Sequence, residues 1–428
     1  MIRRKHLMKK NTLKFPDKFF WGASTSAHQC EGGLTNNWTQ WEKVNAERLS
    51  RKAELEFSNL PAWPDIAEEA KKAVNYISGK ACDHYNLFEQ DFALAGQMGL
   101  NALRFSVAWE RIEPEEGKFD DSEIEHYRRV IRSLKSRDIE PFLCLWHWPL
   151  PLWLAKTGGW ESPRCEKLFL RYTEKIVSEF KEEVKFWVTM NEPVIFSYES
   201  YFLGVWPPQK KSWPGFLSVL NRLISTHKKA YALIKSFVPD AFVGIAKNNI
   251  DFQPKNRRLF NRLLCAAANA GWNAYFLDRI NSAQDFVGLN HYFLNLVDRG
   301  FNKNTEGPFS DLGWQLHPES IYRVLLRLKK YAKPVIVLEN GLADAKDVKR
   351  AWYLQEILRQ IHRALEEGVD VRGYFHWSLT DNFEWDKGFW PRFGLIAVDY
   401  ASQERKTRPS ANVYAEIIKA NAVIDPGV

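Results

Sequence analysis

VKFWVTMNEP, residues 184–193, and KPVIVLENGLAD, residues 333–344, decide how this chain is read. Each is a run of β-branched and aromatic residues that ends in a carboxylate beside an asparagine: Asn191 and Glu192 in the first, Glu339 and Asn340 in the second. Near-continuous apolar runs of this length predict strands buried on both faces, as in a parallel sheet. A buried strand that carries an acid to its C-terminal end is how a parallel α/β barrel presents its reactive groups.

Working outward, six more segments of the same kind are found. They are FFWGAS from Phe19, ALRFSVAW from Ala102, PFLCLWHW from Pro141, FVGIAKNN from Phe242, DFVGLNHY from Asp285 and VRGYFHWSL from Val371. Between the strands run stretches of helical period, such as EIEHYRRVIRSLKSR and AWYLQEILRQIHRALEEG, the latter stopped by Gly368. Strands alternating with helices imply parallel pairing through right-handed crossovers. Eight such units predict an α/β fold: a single (β/α)8 TIM barrel with its active site at the C-terminal ends of the strands. No linker, repeat or low-complexity tract divides the chain, so residues 15–428 are read as one domain and residues 1–14 as a loose basic N-terminal segment. Residues 44–80 read as a charged, partly helical insertion in the first βα loop, and WPPQKKSWPG, residues 206–215, as a proline-rich loop after the fourth strand. Long loops on that side of a barrel shape its pocket.

The 428 residues, 45% hydrophobic and 26% charged, suit a soluble protein with a large core. The net charge of +8 does not mark a nucleic-acid binder, because Lys and Arg alternate with Asp and Glu, as in RCEKLFLRYTEKIVSEFKEEVKF. Only MIRRKHLMKK is a basic cluster. Cys30, Cys82, Cys144, Cys165 and Cys265 have neither disulfide-framework nor zinc spacing. No apolar h-region follows the first basic residues, and no apolar stretch nears the ~20 residues that span a membrane. The expectation is a cytoplasmic protein with no metal, no organic cofactor, no nucleic-acid partner and no membrane partner; its oligomeric state is not legible.

The ends of the predicted strands concentrate polar and aromatic residues at one rim: Gln29, Arg104, His147, Trp148, Asn191, Glu192, Asn290, Tyr292, Glu339 and Trp377, with Glu384 and Trp385 in the eighth loop. A purely structural barrel has no use for carboxylate, amide, imidazole and indole groups gathered there. A pocket that cleaves sugars needs two acids and many hydroxyl partners, and flat indoles suit the apolar faces of sugar rings. Many of the 18 Trp must nonetheless be core residues.

Three motifs in order carry a resemblance. TMNEP at 189–193, LENG at 338–341 and WSLTDNFEW at 377–385, followed by RFGLIAVDY, are similar to the acid/base, nucleophile and closing stretches of glycoside hydrolase family 1. The resemblance spans about residues 15–420. It implies a retaining β-glycosidase of β-glucosidase type, acting on small β-glycosides or oligosaccharides. Glu192 is then the acid/base and Glu339 the nucleophile, with Arg104 and Tyr292 supporting Glu339 and Asn191 bonding the sugar 2-hydroxyl. The resemblance further implies Gln29, His147, Trp385 and Glu384 as hydroxyl partners, Trp377 as a stacking floor and Trp314 as an aglycone platform. Trp148 and Asn290 join the substrate-binding set by position.

The chain departs from the family pattern at Leu338 (usually Thr or Ser), His291 (usually an aromatic such as Tyr) and Trp146 (commonly Tyr), and its segment between strands five and six is short. Three other readings compete. A 6-phospho-β-glycosidase would need a hydroxyl and cation cluster where FEWDKGFWPRFG offers Glu384. A transglycosidase would share every residue with a hydrolase. A catalytically silent sugar-binding barrel would gain nothing from keeping a nucleophile.

Overall fold

The computed structural model describes residues 11–425. Eight parallel strands close into a barrel: β1 Phe20–Ser24, β2 Ala102–Ser106, β3 Glu140–Cys144, β4 Phe186–Asn191, β5 Phe242–Asn248, β6 Phe286–Asn290, β7 Val335–Asn340 and β8 Val371–Trp377. Each pairs with its neighbours in the chain, and β8 returns to β1 through Gly373 to Trp377 against Phe20 to Ser24. All eight overlap the stretches expected from the sequence. Helices form the outer ring, among them Asp121–Lys135, Pro163–Phe180, Trp213–Phe237 and Arg350–Glu366. Asp120 starts the first by accepting backbone N–H bonds from Ser122 and Glu123, which satisfies donors that an exposed helix end leaves open.

Inside, the barrel is closed at its lower end by phenylalanines. Phe142 and Phe186 stack with centroids 4.2 Å apart, and Phe20, Phe242 and Phe375 pack against them within 5.4 Å. The lower half is therefore a dry plug, and the polar residues are left to the upper rim. Arg104 aligns with Ser24, and Glu339 with Asn290, so strand register brings the polar ends of different strands side by side.

Three boundaries differ from the sequence reading. Residues 1–14 are not all loose: Asn11–Lys14 is a strand, paired antiparallel with Ala422–Asp425 beside the last helix. A four-residue strand with a partner more than four hundred positions away leaves no local signal. The basic residues 1–10 lie outside the described residues. The proline-rich stretch ends early, because Ser212 accepts the Gly215 N–H and the helix starts at Trp213. The insertion is more helical than expected, with Asn37–Phe57 and Trp63–Ala70 both formed.

Truncating a stacked ring in the plug tests this arrangement. Phe142→Ala is expected to cost about 3–5 kcal/mol of stability, because the stacked layer cannot collapse into the space. The loss shows in chemical denaturation, while KM stays near its parent value because the rim is untouched.

Candidate active site

Glu192 and Glu339 open onto one cavity of about 420 Å³ at the C-terminal rim of the barrel. The strand that carries each acid slips register just before it, between Val188 and Asn191 on β4 and between Val337 and Glu339 on β7. Such irregularities re-aim side chains at the ends of sheets. Glu192 has left-handed backbone (φ 42°, ψ 57°), and Pro193 begins a short helix after it.

Donors converge on Glu339. Arg104, fully buried on β2, donates to one carboxylate oxygen, and the Tyr292 hydroxyl donates to the other at 2.7 Å. Burial opposes the charge of Arg104, but Glu339 outweighs it and the guanidinium is held above its usual value. Burial, and then Glu339, pushes the Tyr292 phenol well up. Arg104 also donates to Asn191 Oδ1 at 2.7 Å, with His147 Nδ1 3.2 Å away. The other nitrogen of His147 lies 2.9 Å from Asn191 Nδ2. Burial and the Arg104 charge push His147 well below the usual imidazole range, so it is neutral.

Glu192 sits in a different environment. Its one strong donor is Asn290 Nδ2 at 2.8 Å, which also lies 3.1 Å from Asn191 Oδ1. Burial, reinforced by the charge of Glu339, pushes its carboxyl up to about 8. Glu384 is likewise pushed up to about 8, by burial first and then by Glu339, Asp386 and Glu192. It accepts from Gln29 Nε2 at 3.3 Å; Gln29 is fixed by the Ser26 hydroxyl at 2.7 Å and the Phe383 carbonyl at 2.9 Å.

Indoles make much of the remaining wall. Trp377 lies 6.1 Å from the His147 ring with 28° between planes, and Trp385 stacks on His28 at 5.3 Å with 7° between planes. Trp314 meets Tyr292 edge-on at 5.6 Å. Trp148 touches the cavity but also serves its wall: its indole N–H donates to the Asn191 carbonyl at 2.9 Å, and its ring packs on Trp385 and Trp206. Eleven of the thirteen expected site residues line the cavity, and the exceptions, Arg104 and Asn290, stand behind it and reach it through hydrogen bonds.

The three departures have structural explanations. Leu338 belongs to the apolar filling of the barrel, and its carbonyl accepts the Ser24 hydroxyl at 2.6 Å. His291 does not face the cavity; it ties the Asn249 carbonyl, at 2.8 Å, to the Ser320 hydroxyl, at 2.7 Å. Trp146 packs against Trp160 and Phe196 and donates to the Pro149 carbonyl at 2.9 Å.

Sequence reading missed the outer part of the cavity. Phe57 and Leu60 come from the helical insertion, Trp206 from the proline-rich loop, and Leu312 and Phe393 from later loops. Glu199 also lines it, its carboxyl pushed up to about 7 by burial and by Asp386. Loop length was the available signal; which side chains turn inward was not. Among the described residues no cluster of three or more His, Cys, Asp or Glu side chains is arranged to hold a metal ion.

Comparison with known proteins agrees with this geometry. The family model described as glycosyl hydrolase family 1 matches residues 11–288 and 271–423. A 1,4-beta-D-glucan glucohydrolase of Thermotoga neapolitana is 30% identical, over 96% of this chain and 100% of its own length. A beta-galactosidase of Saccharolobus solfataricus is 32% identical, over 96% of both. Among solved structures, a beta-glycosidase from Pyrococcus horikoshii superposes with a TM-score of 0.86 at 33% identity, covering 97% of each chain. A beta-glucosidase from Thermotoga maritima in complex with glucoimidazole gives 0.84 at 27%, covering 96% of this chain and 100% of the other.

The raised carboxyls make a prediction about stability. A buried acid with a raised value binds more protons folded than unfolded, so its contribution is whole below the unfolded value and is lost as pH rises through about 8. Glu192→Gln and Glu384→Gln, which cannot ionise, should therefore gain on the parent by about 1 kcal/mol or more between about pH 5 and pH 9. Melting curves at both ends check this; a constant offset counts against it.

Proposed function

The chain belongs to glycosyl hydrolase family 1 and is a β-glycosidase, and on that premise we propose the retaining mechanism with Glu192 as acid/base and Glu339 as nucleophile. The observation that carries the assignment is the asymmetry of the two carboxyls within one cavity. Glu339 takes a guanidinium on one oxygen and a phenol on the other, whereas Glu192 has one amide donor and is kept protonated by burial.

In the first step the Glu192 carboxyl gives its proton to the glycosidic oxygen as that oxygen's bond to the anomeric carbon breaks. Glu339 forms the new bond to that carbon, giving a glycosyl ester. Loss of the Glu339 charge removes the repulsion that helped keep Glu192 protonated. In the second step Glu192, now a carboxylate, takes a proton from water while the water oxygen attacks the anomeric carbon and frees Glu339. Asn191, fixed by Arg104, serves the 2-hydroxyl. Gln29, His147, Glu384 and Trp385 serve the remaining hydroxyls, Trp377 stacks under the ring, and Trp314 with Phe57 and Leu60 meets the aglycone.

The sugar is a terminal non-reducing β-D-glycosyl residue, with glucose as the type and galactose within reach of the same partners. A 6-phosphorylated sugar suits the site poorly. Where a phosphate would need a free cation, the loop presents Glu384, and Lys387 is committed to Asp386 at 2.8 Å. A chain that keeps five buried thiols is suited to a reducing cytoplasm.

Three linked measurements test the proposal. Aryl β-D-glucoside, β-D-galactoside and β-D-fucoside are cleaved, and 6-phospho-β-D-glucoside is the poorest of the panel. Glu339→Gly loses at least about a thousandfold in kcat but regains turnover with azide, giving an inverted glycosyl azide; Glu192→Ala loses about 100- to 10,000-fold on poor leaving groups and far less on a dinitrophenyl glycoside. In the parent, kcat/KM falls as pH rises through about 8, and that limb is missing from Glu192→Ala. Equal losses of Glu192→Ala on both classes of substrate would overturn the acid role.

A further inference from the structure

β5 carries a lysine on a face where its other residues are aliphatic. In FVGIAKN, Ala246 joins the apolar filling of the barrel, while Val243 and Ile245 join the layer between strands and helices. Lys247 continues that second face and aligns with Leu289 of β6. It is fully buried. Its Nζ donates to the Asn248 carbonyl and lies 3.3 Å from Asn249 Oδ1. Among the described residues no carboxylate lies within ion-pair distance of it. An ammonium kept there costs solvation that a methionine of similar length would not.

The neighbours of Lys247 in the chain are the residues that hold Glu192. On one side, the Ala246 carbonyl accepts the Glu192 N–H at 2.8 Å. On the other, Asn248 lines the same cavity as Glu192, and its Oδ1 accepts from the Trp272 indole at 3.3 Å. Asn249 donates its N–H to the carbonyl of Asn290 at 3.0 Å, and Asn290 is the amide that holds Glu192 Oε1.

We propose that Lys247 is a positioning residue for the acid/base: its ammonium pins the Asn248–Asn249 turn against Glu192 and offers a positive charge to the carboxylate that activates water. This rests on the reading of Glu192 given above. Burial draws the Lys247 amine down and the charge of an ionised Glu192 pulls it part of the way back, leaving it at about 7. His291, just after β6, and His227, on the helix Trp213–Phe237, are both pushed down to about 4 by burial, and Asp251 is paired with Arg323 and Arg327 at 2.7 and 2.9 Å. Glu192 itself faces Glu339 and Glu384 across the cavity. Once Glu339 is esterified, its repulsion of a charge on Glu192 is gone and the Lys247 amine remains to favour that charge.

Lys247→Met and Lys247→Gln test this on three readouts: melting temperature, the pH profile of kcat/KM on an alkyl β-glycoside, and the pH profile of kcat on a dinitrophenyl β-glycoside whose second step limits turnover. Without the cation, ionised Glu192 is less favoured. The acidic limb of the second profile, which falls where the amine is still charged, should move to higher pH by about half a unit or more, and the basic limb of the first, near pH 8, should move the same way by less. Lys247→Met should melt no lower than the parent, and Lys247→Gln, which keeps a donor for the turn, should lose less in rate. Limbs that stay put in a folded variant overturn the proposal, because a merely structural lysine scales rates or lowers melting without moving them. Should Lys247→Met fail to fold, Lys247→Gln decides; should both fail, Lys247 is a structural element and the proposal falls. A basic limb that survives in Glu192→Ala, by contrast, sinks the acid/base reading itself, whatever the lysine does.

Discussion

The rest of the site depends on Arg104. A guanidinium with no access to water must be matched by acceptors or the fold bears the full cost of its charge. Its acceptors are Glu339 from β7 and Asn191 from β4, with the His147 ring beside it from the end of β3. One side chain on β2 thus ties four strand ends of the barrel together. The barrel supplies the geometry in return. Parallel strands in fixed register deliver these ends at one height, which a looser scaffold does not do.

From that ion pair the protonation of the other carboxyls follows. Glu339 takes the guanidinium of Arg104, which stands behind the cavity. Glu192, buried, and Glu384, half-buried, then face a carboxylate with amides rather than cations as their nearest donors, and both are pushed up to about 8. Two acids with similar surroundings would share a proton without preference. Here a single asymmetry of partners suits one to the nucleophile's part and the other to the proton donor's in the mechanism proposed above. In that mechanism the same asymmetry would reverse after the first step, since an ester at Glu339 would no longer repel a charge on Glu192.

How much of this the sequence shows depends on how local each feature is. The eight strands were legible because each is an apolar run with its own turn signals, and the inner cavity was legible because reactive residues must lie at the ends of those runs. Features set by distant partners were not. The pairing of Asn11–Lys14 with Ala422–Asp425 has no trace in either segment. Phe57 and Leu60 carry no signal of their own within the charged insertion, and their place on the cavity wall is set only when it folds over the rim. Trp146 and Trp148 differ by two positions, yet one is core and the other reaches the cavity, because period-2 alternation breaks where β3 ends. Lys247 reads as a strand-end polar residue, and its burial is known only once the helices are in place.

Backbone strain was the least legible feature. Glu192, Trp148 and Trp385, with φ of 42°, 87° and 51°, lie in the left-handed region that glycine and asparagine favour, and all three line the cavity. Each such residue costs of order 1–3 kcal/mol and persists only where its surroundings over-determine it. Those surroundings are visible. Glu192 is held by its N–H on Ala246 and its carboxyl on Asn290; Trp148 by its indole on Asn191 and by Trp206; Trp385 by His28 beneath it, itself 2.7 Å from Glu42. None of the three is a residue that a turn rule would place there. The stable phenylalanine plug below and the strained rim above are two halves of one design: a barrel whose lower core is apolar and well packed has stability to spend on holding three large side chains where no isolated loop would keep them.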